Sequence, residues 1–233
     1  MTGVKILPLD SASFTITPWS WPFAQERRAD IDAHFAARQR KTPELWNGRV
    51  LLLSGHGFDG RALTGTFFET DFASFIAWRD FGFPGSGAIN CFSMGAIRAA
   101  DGAWLLGVMA AHTANPGRIY FPAGTPDPED VSGGTVDLMA NVLREVTEET
   151  GLTTSDFEMD KGWTAVTTGA RIALMKVLQS REDCDALRAR IFRHLAHERQ
   201  PELAGIHVVR TRADFTAAMP DFVTAFLEHV LPR

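Results

Sequence analysis

The chain has only two cysteines and one tyrosine among 233 residues. Cys91 and Cys184 stand far apart, which excludes a CxxC-type zinc site and makes a disulfide framework an unlikely design for this chain. The seven histidines include no HExxH pair, so the usual zinc-hydrolase pattern is missing. No stretch approaches the roughly 20 consecutive apolar residues of a membrane span, and Met1 to Phe23 holds no basic segment followed by an apolar run. No membrane partner and a reducing, cytoplasmic setting are therefore expected. No long basic stripe occurs and the net charge is −5, which argues against a protein that wraps a large nucleic acid. A nucleotide substrate is still open, because a metal ion can neutralise phosphate locally. Internal repeats and low-complexity tracts are absent as well.

What is present reads as an ordered α+β chain. Ala24 to Arg40 has helical spacing through Ile31 and Phe35, and Asp71 to Asp80 predicts a short helix with Phe72, Phe75 and Ile76 on one face. Val50 to Ser54 and Thr64 to Glu69 predict strands, and Gly55-His56-Gly57-Phe58-Asp59-Gly60 reads as a tight loop between them. Phe83 to Gly87 is a loop and the expected boundary between an N-terminal extension, 1–87, and a main domain, 88–233. Beyond it, Ala88 to Arg98 and Trp104 to Met109 are strand candidates joined by an Asp101-Gly102 turn. A short strand is expected at Arg118 to Phe121, then a helix from about Val136 to Thr150 stopped by Gly151. Strands near Trp163 to Thr167 and Arg171 to Leu178, a helix from Arg181 to Arg199, a strand at Ile206 to Val209 and a helix from Asp221 to Leu231 complete the pattern. That order predicts an α/β/α sandwich with a mixed sheet.

The chemistry concentrates in Arg144-Glu145-Val146-Thr147-Glu148-Glu149-Thr150-Gly151-Leu152. On a helix, Glu145, Glu148 and Glu149 stand at i, i+3 and i+4, so their carboxylates gather on one side and repel. A bound hard cation is the simplest agent to offset the repulsion, and Mg²⁺ or Mn²⁺ prefers carboxylate oxygens. A solvated acidic face would instead lie opposite the apolar stripe of Leu138, Val142 and Val146. At about 100° per residue, Glu149 falls in the direction of that stripe and Glu145 on its margin.

These nine residues resemble the second half of the Nudix box: Arg-Glu, an apolar residue, any residue, Glu-Glu, any residue, Gly, an apolar residue. At ordinary residue usage such a match arises by chance with a frequency of ~10⁻⁴ over a chain of this length. Pro122-Ala123-Gly124 is similar to the turn that opens the box. The usual first-half glutamate would fall on Val136, and the segment from Gly124 to Arg144 is longer than usual; neighbouring Asp137 is the expected stand-in for that glutamate in the box's internal salt bridge.

The resemblance implies a Nudix-type fold and a pyrophosphohydrolase using Mg²⁺ or Mn²⁺. It would cleave a small-molecule diphosphate substrate: a nucleotide sugar, a dinucleotide, a coenzyme A derivative or a similar nucleoside diphosphate compound. It implies metal ligation by Glu145, Glu148, Glu149 and the Ala123 carbonyl, with Arg144 fixing a box carboxylate and a late glutamate, Glu198 or Glu202, assisting. Arg118 and His112, just before the Ala123 turn, are candidate substrate contacts, since an arginine offers phosphate a rigid fork of donors. A homodimer surface in the extension is a further expectation. The rival reading is a catalytically silent Nudix-fold sensor of a nucleotide or metabolite.

Overall fold

Residues 3–85 and 87–232 are described in the computed structural model. They run β1 (Lys5–Leu9), β2 (Ser11–Ile16), α1 (Pro22–Glu26), α2 (Arg28–Gln39), β3 (Arg49–Asp59), β4 (Ala62–Asp71), α3 (Phe72–Asp80), β5 (Asn90–Arg98) and β6 (Trp104–Met109). Then follow β7 (Ile119–Tyr120), β8 (Val131–Ser132), β9 (Thr135–Val136), α4 (Leu138–Thr150), β10 (Phe157–Met159), β11 (Trp163–Thr168), β12 (Arg171–Ser180), α5 (Cys184–Leu195), β13 (Leu203–Val209) and α6 (Asp221–Val230). No helix among the described residues is long and apolar enough to cross a membrane.

The larger sheet has the order β1-β11-β12-β5-β6-β13, with β10 on β12 and β7 on β6. It is mixed: β5 and β12 run parallel from Asn90↔Arg171 to Arg98↔Gln179, and the other pairs are antiparallel. The two-residue side-chain period of β5 explains the layering. Met94 and Ala96 face one side, where Phe222, Val223, Phe226 and Leu227 of α6 pack with Trp104 and Phe121. Ile97 belongs to the opposite side, where Val142 and Val146 of α4 meet Leu187 and Ile191 of α5. Each such aliphatic or aromatic side chain, once fully buried, contributes about 1.5–3 kcal/mol. Helices therefore cover both faces, and the mixed-sheet α+β class expected from the sequence is the one the chain adopts.

The smaller sheet, β3-β4-β2-β9-β8, joins β2 and β4 in parallel. Alternation along β3 sends Val50 and Leu52 toward α1, α2 and α3. It sends Leu51 and Leu53 toward a core shared with Leu9, Cys91, Ile172 and Leu174. Residues before Gly87 thus supply β1 to the larger sheet through its pairing with β11, besides building the smaller sheet. Leu53 also bridges Ile89.

Two local expectations are corrected. Gly55 to Asp59 is the outer part of β3, paired with Ala62 to Thr66 of β4, and not a loop. The helix expected over Arg181 to Arg199 spans only Cys184–Leu195, capped by Asp183, whose side chain accepts from the Ala186 N–H. The strands β1, β2 and β8 to β10 were not predicted.

Candidate active site

Helix α4 carries the acidic segment, and its ends are fixed locally. Asp137 caps the N-terminus by accepting from the N–H groups of Met139 and Ala140, both at 3.0 Å. Gly151 ends the helix at φ 69°, a left-handed conformation that costs glycine nothing. Between them Leu138, Val142 and Val146 are buried. That fixes the rotation of the helix and hence the depth of each glutamate.

The three glutamates do not share one environment. Glu149 is 5% exposed, and its Oε2 is buried without a hydrogen-bond partner. Its Oε1 accepts from the Ala123 N–H at 3.4 Å. The Glu145 side chain is 14% exposed and receives Arg144 Nη1 at 2.9 Å. Glu148, 60% exposed, is held 3.5 Å from the same Nη1 and lies at the surface. Among the described residues no group of three or more His, Cys, Asp or Glu side chains is gathered ready to hold a metal ion.

The Ala123 turn presses directly on this pair of acids. A Cβ on Gly124 would stand 2.1 Å from Glu145 Oε1, so the bare glycine makes room for the carboxylate. Burial pushes Glu145 up to about 7; Arg144 opposes the shift, while Glu148, Glu202 and Asp130 add to it. Burial also lifts Glu149 well above the usual carboxylate range, reinforced by the charges of Glu145 and Glu202. The Tyr120 hydroxyl, which accepts from Asn115 Nδ2 at 3.3 Å, is pushed up to about 12 by burial, with the charges of Glu149 and Glu202 also raising it. Two buried carboxylates with an orphaned oxygen favour a positive charge between them. Their all-oxygen donor set suits a hard divalent cation, so these residues fit the Mg²⁺ or Mn²⁺ that the sequence suggests.

Arg144 is positioned from behind by residues the sequence reading missed. Its Nη2 donates to Asp130 at 3.2 and 3.4 Å. Asp130 is itself buried, and its Oδ2 accepts from Asn141 Nδ2 at 2.9 Å. Asp137 was expected in this role; its carboxylate is engaged at the helix N-terminus instead. A usable signal was present: Asp127-Pro128-Glu129-Asp130 is a capping box, in which Asp130 Oδ2 accepts from the Asp127 N–H at 3.0 Å. That short turn brings Asp130 back beneath α4.

The two late glutamates separate clearly. Glu202, just before β13, is close enough for its charge to raise both Glu145 and Glu149. Glu198 lies 3.9 Å from His194 Nε2, just beyond the end of α5.

A cleft of about 580 Å³ opens beside the turn, with Ala123, Gly124 and Thr125 at its wall. Arg79, Arg118 and Arg171 line it. Arg79 is engaged by Asp80 and Asn115, each at 3.0 Å, and Arg171 by Asp221 at 3.0 Å. Arg118 pairs with no carboxylate among the described residues, leaving its guanidinium available. His112 lies in the loop between β6 and β7 and is not part of the lining.

The chain is similar to a number of solved structures, among them the following three. One is a Nudix hydrolase from M. smegmatis, RenU, with 15% identity, a TM-score of 0.39, and coverage of 60% of this chain and 81% of that one. Another is a MutT protein from Methanosarcina mazei Go1, with 18% identity, a TM-score of 0.37, and coverage of 60% and 91%. The third is a mutant of the Bacillus subtilis pyrophosphohydrolase BsRppH, with 16% identity, a TM-score of 0.31, and coverage of 54% and 65%. No protein-family profile and no curated protein matches the chain.

Proposed function

We propose that this chain is a Nudix-type pyrophosphohydrolase that cleaves a diphosphate linkage in a nucleoside diphosphate derivative with the help of Mg²⁺ or Mn²⁺. The observation that carries the reading is Glu149: a buried carboxylate with an unpartnered oxygen, beside Glu145 and against the Ala123 turn. Burying such a group without a counter-charge is costly, and a resident cation removes the cost. Glu145 and Glu149 would hold the ion, with Glu148 and the Ala123 carbonyl as further oxygens. When bound, the ion supplies charge neutralisation for the diphosphate and a lowered pKa for a bound water.

The chain's own residues divide the remaining work. Arg144, braced by Asp130, fixes the Glu145 carboxylate. Arg118, unpaired at the cleft, takes a phosphate oxygen as a charge-assisted fork donor. Glu202, solvent-accessible and close to both buried acids, takes the proton from the attacking water. Residues 1–87 add a wall to the cleft through Phe72, Phe75, Ile76 and Arg79 of α3.

The test is phosphate and nucleotide release from a panel of nucleotide sugars, dinucleotides and coenzyme A derivatives with Mg²⁺ or Mn²⁺. Turnover that Glu149→Gln abolishes, with folding intact, supports the proposal. A well-folded wild type that cleaves none of the panel and shows no response to either ion refutes it.

A further inference from the structure

The cleft beside the Ala123 turn contains a polar group that the reaction chemistry leaves unused. Asn90, Phe92 and Met94 share one face of β5 and all three line the cleft, while Cys91 on the other face enters a separate core. Asn90 is 8% exposed, and its Oδ1 is buried without any hydrogen-bond partner. Its backbone is held without the side chain: the N–H donates to the Ala170 carbonyl at 2.9 Å and the residue pairs with Arg171 of β12. The carboxamide is therefore not needed to hold the strand. Around it the lining is aromatic: Phe75 from α3, Phe83 from the following loop, Phe92 from β5 and Phe222 from α6. Arg171, its cross-strand neighbour on β12, is paired with Asp221 and stacked 5.5 Å over Phe222 and 5.8 Å over Phe83.

We propose that Asn90 is a specificity-determining residue, its buried side-chain amide reading the hydrogen-bonding edge of a planar ring that α3, β5 and α6 enclose. An amide offers one acceptor and two donors, which complements an adjacent donor and acceptor on a nucleobase edge. Flat apolar walls suit the ring's faces. The unpaired Arg118 and the Ala123 turn, in the lining of the same cleft, place the phosphate end of such a ligand toward Glu145 and Glu149. The inference rests on the proposed function only for the nucleoside character of the substrate.

The experiment measures equilibrium binding of adenosine, guanosine, cytidine and uridine 5′-monophosphates and of ribose 5-phosphate, in EDTA so that nothing turns over. One base is expected to bind wild type about tenfold tighter than the other three, the discrimination one good bidentate pair provides. Asn90→Leu should collapse that preference while leaving ribose 5-phosphate binding unchanged, and should melt no lower than wild type, since no protein bond is lost. Asn90→Ser gives the same reading if the leucine variant fails to fold. A preference that survives either substitution, equal binding of all four bases, or no binding overturns the inference. Turnover of the panel with no base preference would sink this inference alone; base-selective binding without turnover would sink the hydrolase reading alone.

Discussion

Replacing Glu149 by glutamine separates a catalytic carboxylate from a structural one by its effect on stability. In the metal-free protein Glu149 is buried, near Glu145, with one oxygen unpartnered and its protonation pushed upward by burial. A buried polar group left unsatisfied costs about 1–3 kcal/mol, and more when charged. Glutamine keeps the shape and cannot ionise, so it avoids the cost of holding a proton on a buried carboxylate at neutral pH, and Glu149→Gln should be more stable than wild type in EDTA. A gain of about 1–3 kcal/mol corresponds to roughly 2–4 °C per kcal/mol in a chain of this size. Saturating Mg²⁺ should then reverse the order. Wild type gains about 4.1 kcal/mol when the ion stands at a thousand times its Kd, and the variant, lacking a ligand, gains little. Differential scanning fluorimetry at pH 7.5, with and without Mg²⁺, reads both effects on the same sample. Glu149→Gln melting below wild type in EDTA would show that the carboxylate is stabilising in its own right. An equal Mg²⁺ shift in both proteins would show that the ion binds elsewhere. Either outcome breaks the link between burial and metal binding.

Other outcomes test separate parts of the site. Glu145 is raised from 4.5 to about 7, so its folded state holds a proton that the unfolded chain has released; in EDTA, stability should fall by about 3 kcal/mol as pH rises from about 4.5 to 7, and Mg²⁺ should flatten that slope in a pH series of melts. Gly124→Ala puts a methyl where the Glu145 carboxylate lies, at the end of a flexible side chain; the fold should hold while turnover drops about a hundredfold, the scale of a small misplacement of a reacting group. Asp130→Ala removes the partner of Arg144 and Asn141 and should cost about 1.5–3 kcal/mol in urea unfolding, with turnover falling as Arg144 loses its anchor. Asp71 caps α3: burial alone would raise its pKa, but the Ser74 N–H and Arg28 outweigh burial and lower it. Its contribution is complete above the unfolded pKa near 3.8 and is lost as pH falls through the lower folded value, so Asp71→Ala should cost about 1 kcal/mol at neutral pH and nothing in strong acid.

How much of this was legible in the residues depends on whether the deciding signal is local. The phase of α4 is local: Leu138, Val142 and Val146 point inward, so Glu149 on their side had to be buried and Glu148, off it, could stay in water. The Asp101-Gly102 hairpin between β5 and β6 is local too. Asp59-Gly60 between β3 and β4 is a turn of the same kind, but the polar and glycine residues before it hid the strand. β1 was hidden for another reason. It is an edge strand carrying Pro8, and only its pairing with β11, about 150 residues later in the chain, makes it a strand at all.

The placement of Asp130 rather than Asp137 shows the same division within the site. Proximity in sequence favoured Asp137 as the partner of Arg144, yet a carboxylate one residue before a helix already has bonds to make. The N–H groups of Met139 and Ala140 both claim its Oδ1, which holds the side chain at the helix N-terminus, two turns away from Arg144. Asp130 also accepts from the Asp127 N–H, but its own turn folds it back under α4, where Asn141 and Arg144 meet it from successive turns of the helix. The partner of the half-buried Arg144 is thus selected by where the backbone carries each carboxylate: Asp130 beneath the helix, Asp137 at its N-terminus. Asp137→Asn, which preserves an acceptor for the cap, should accordingly leave turnover and Arg144 placement untouched, whereas Asp130→Asn should impair both. Equal loss from the two substitutions would return the role to Asp137.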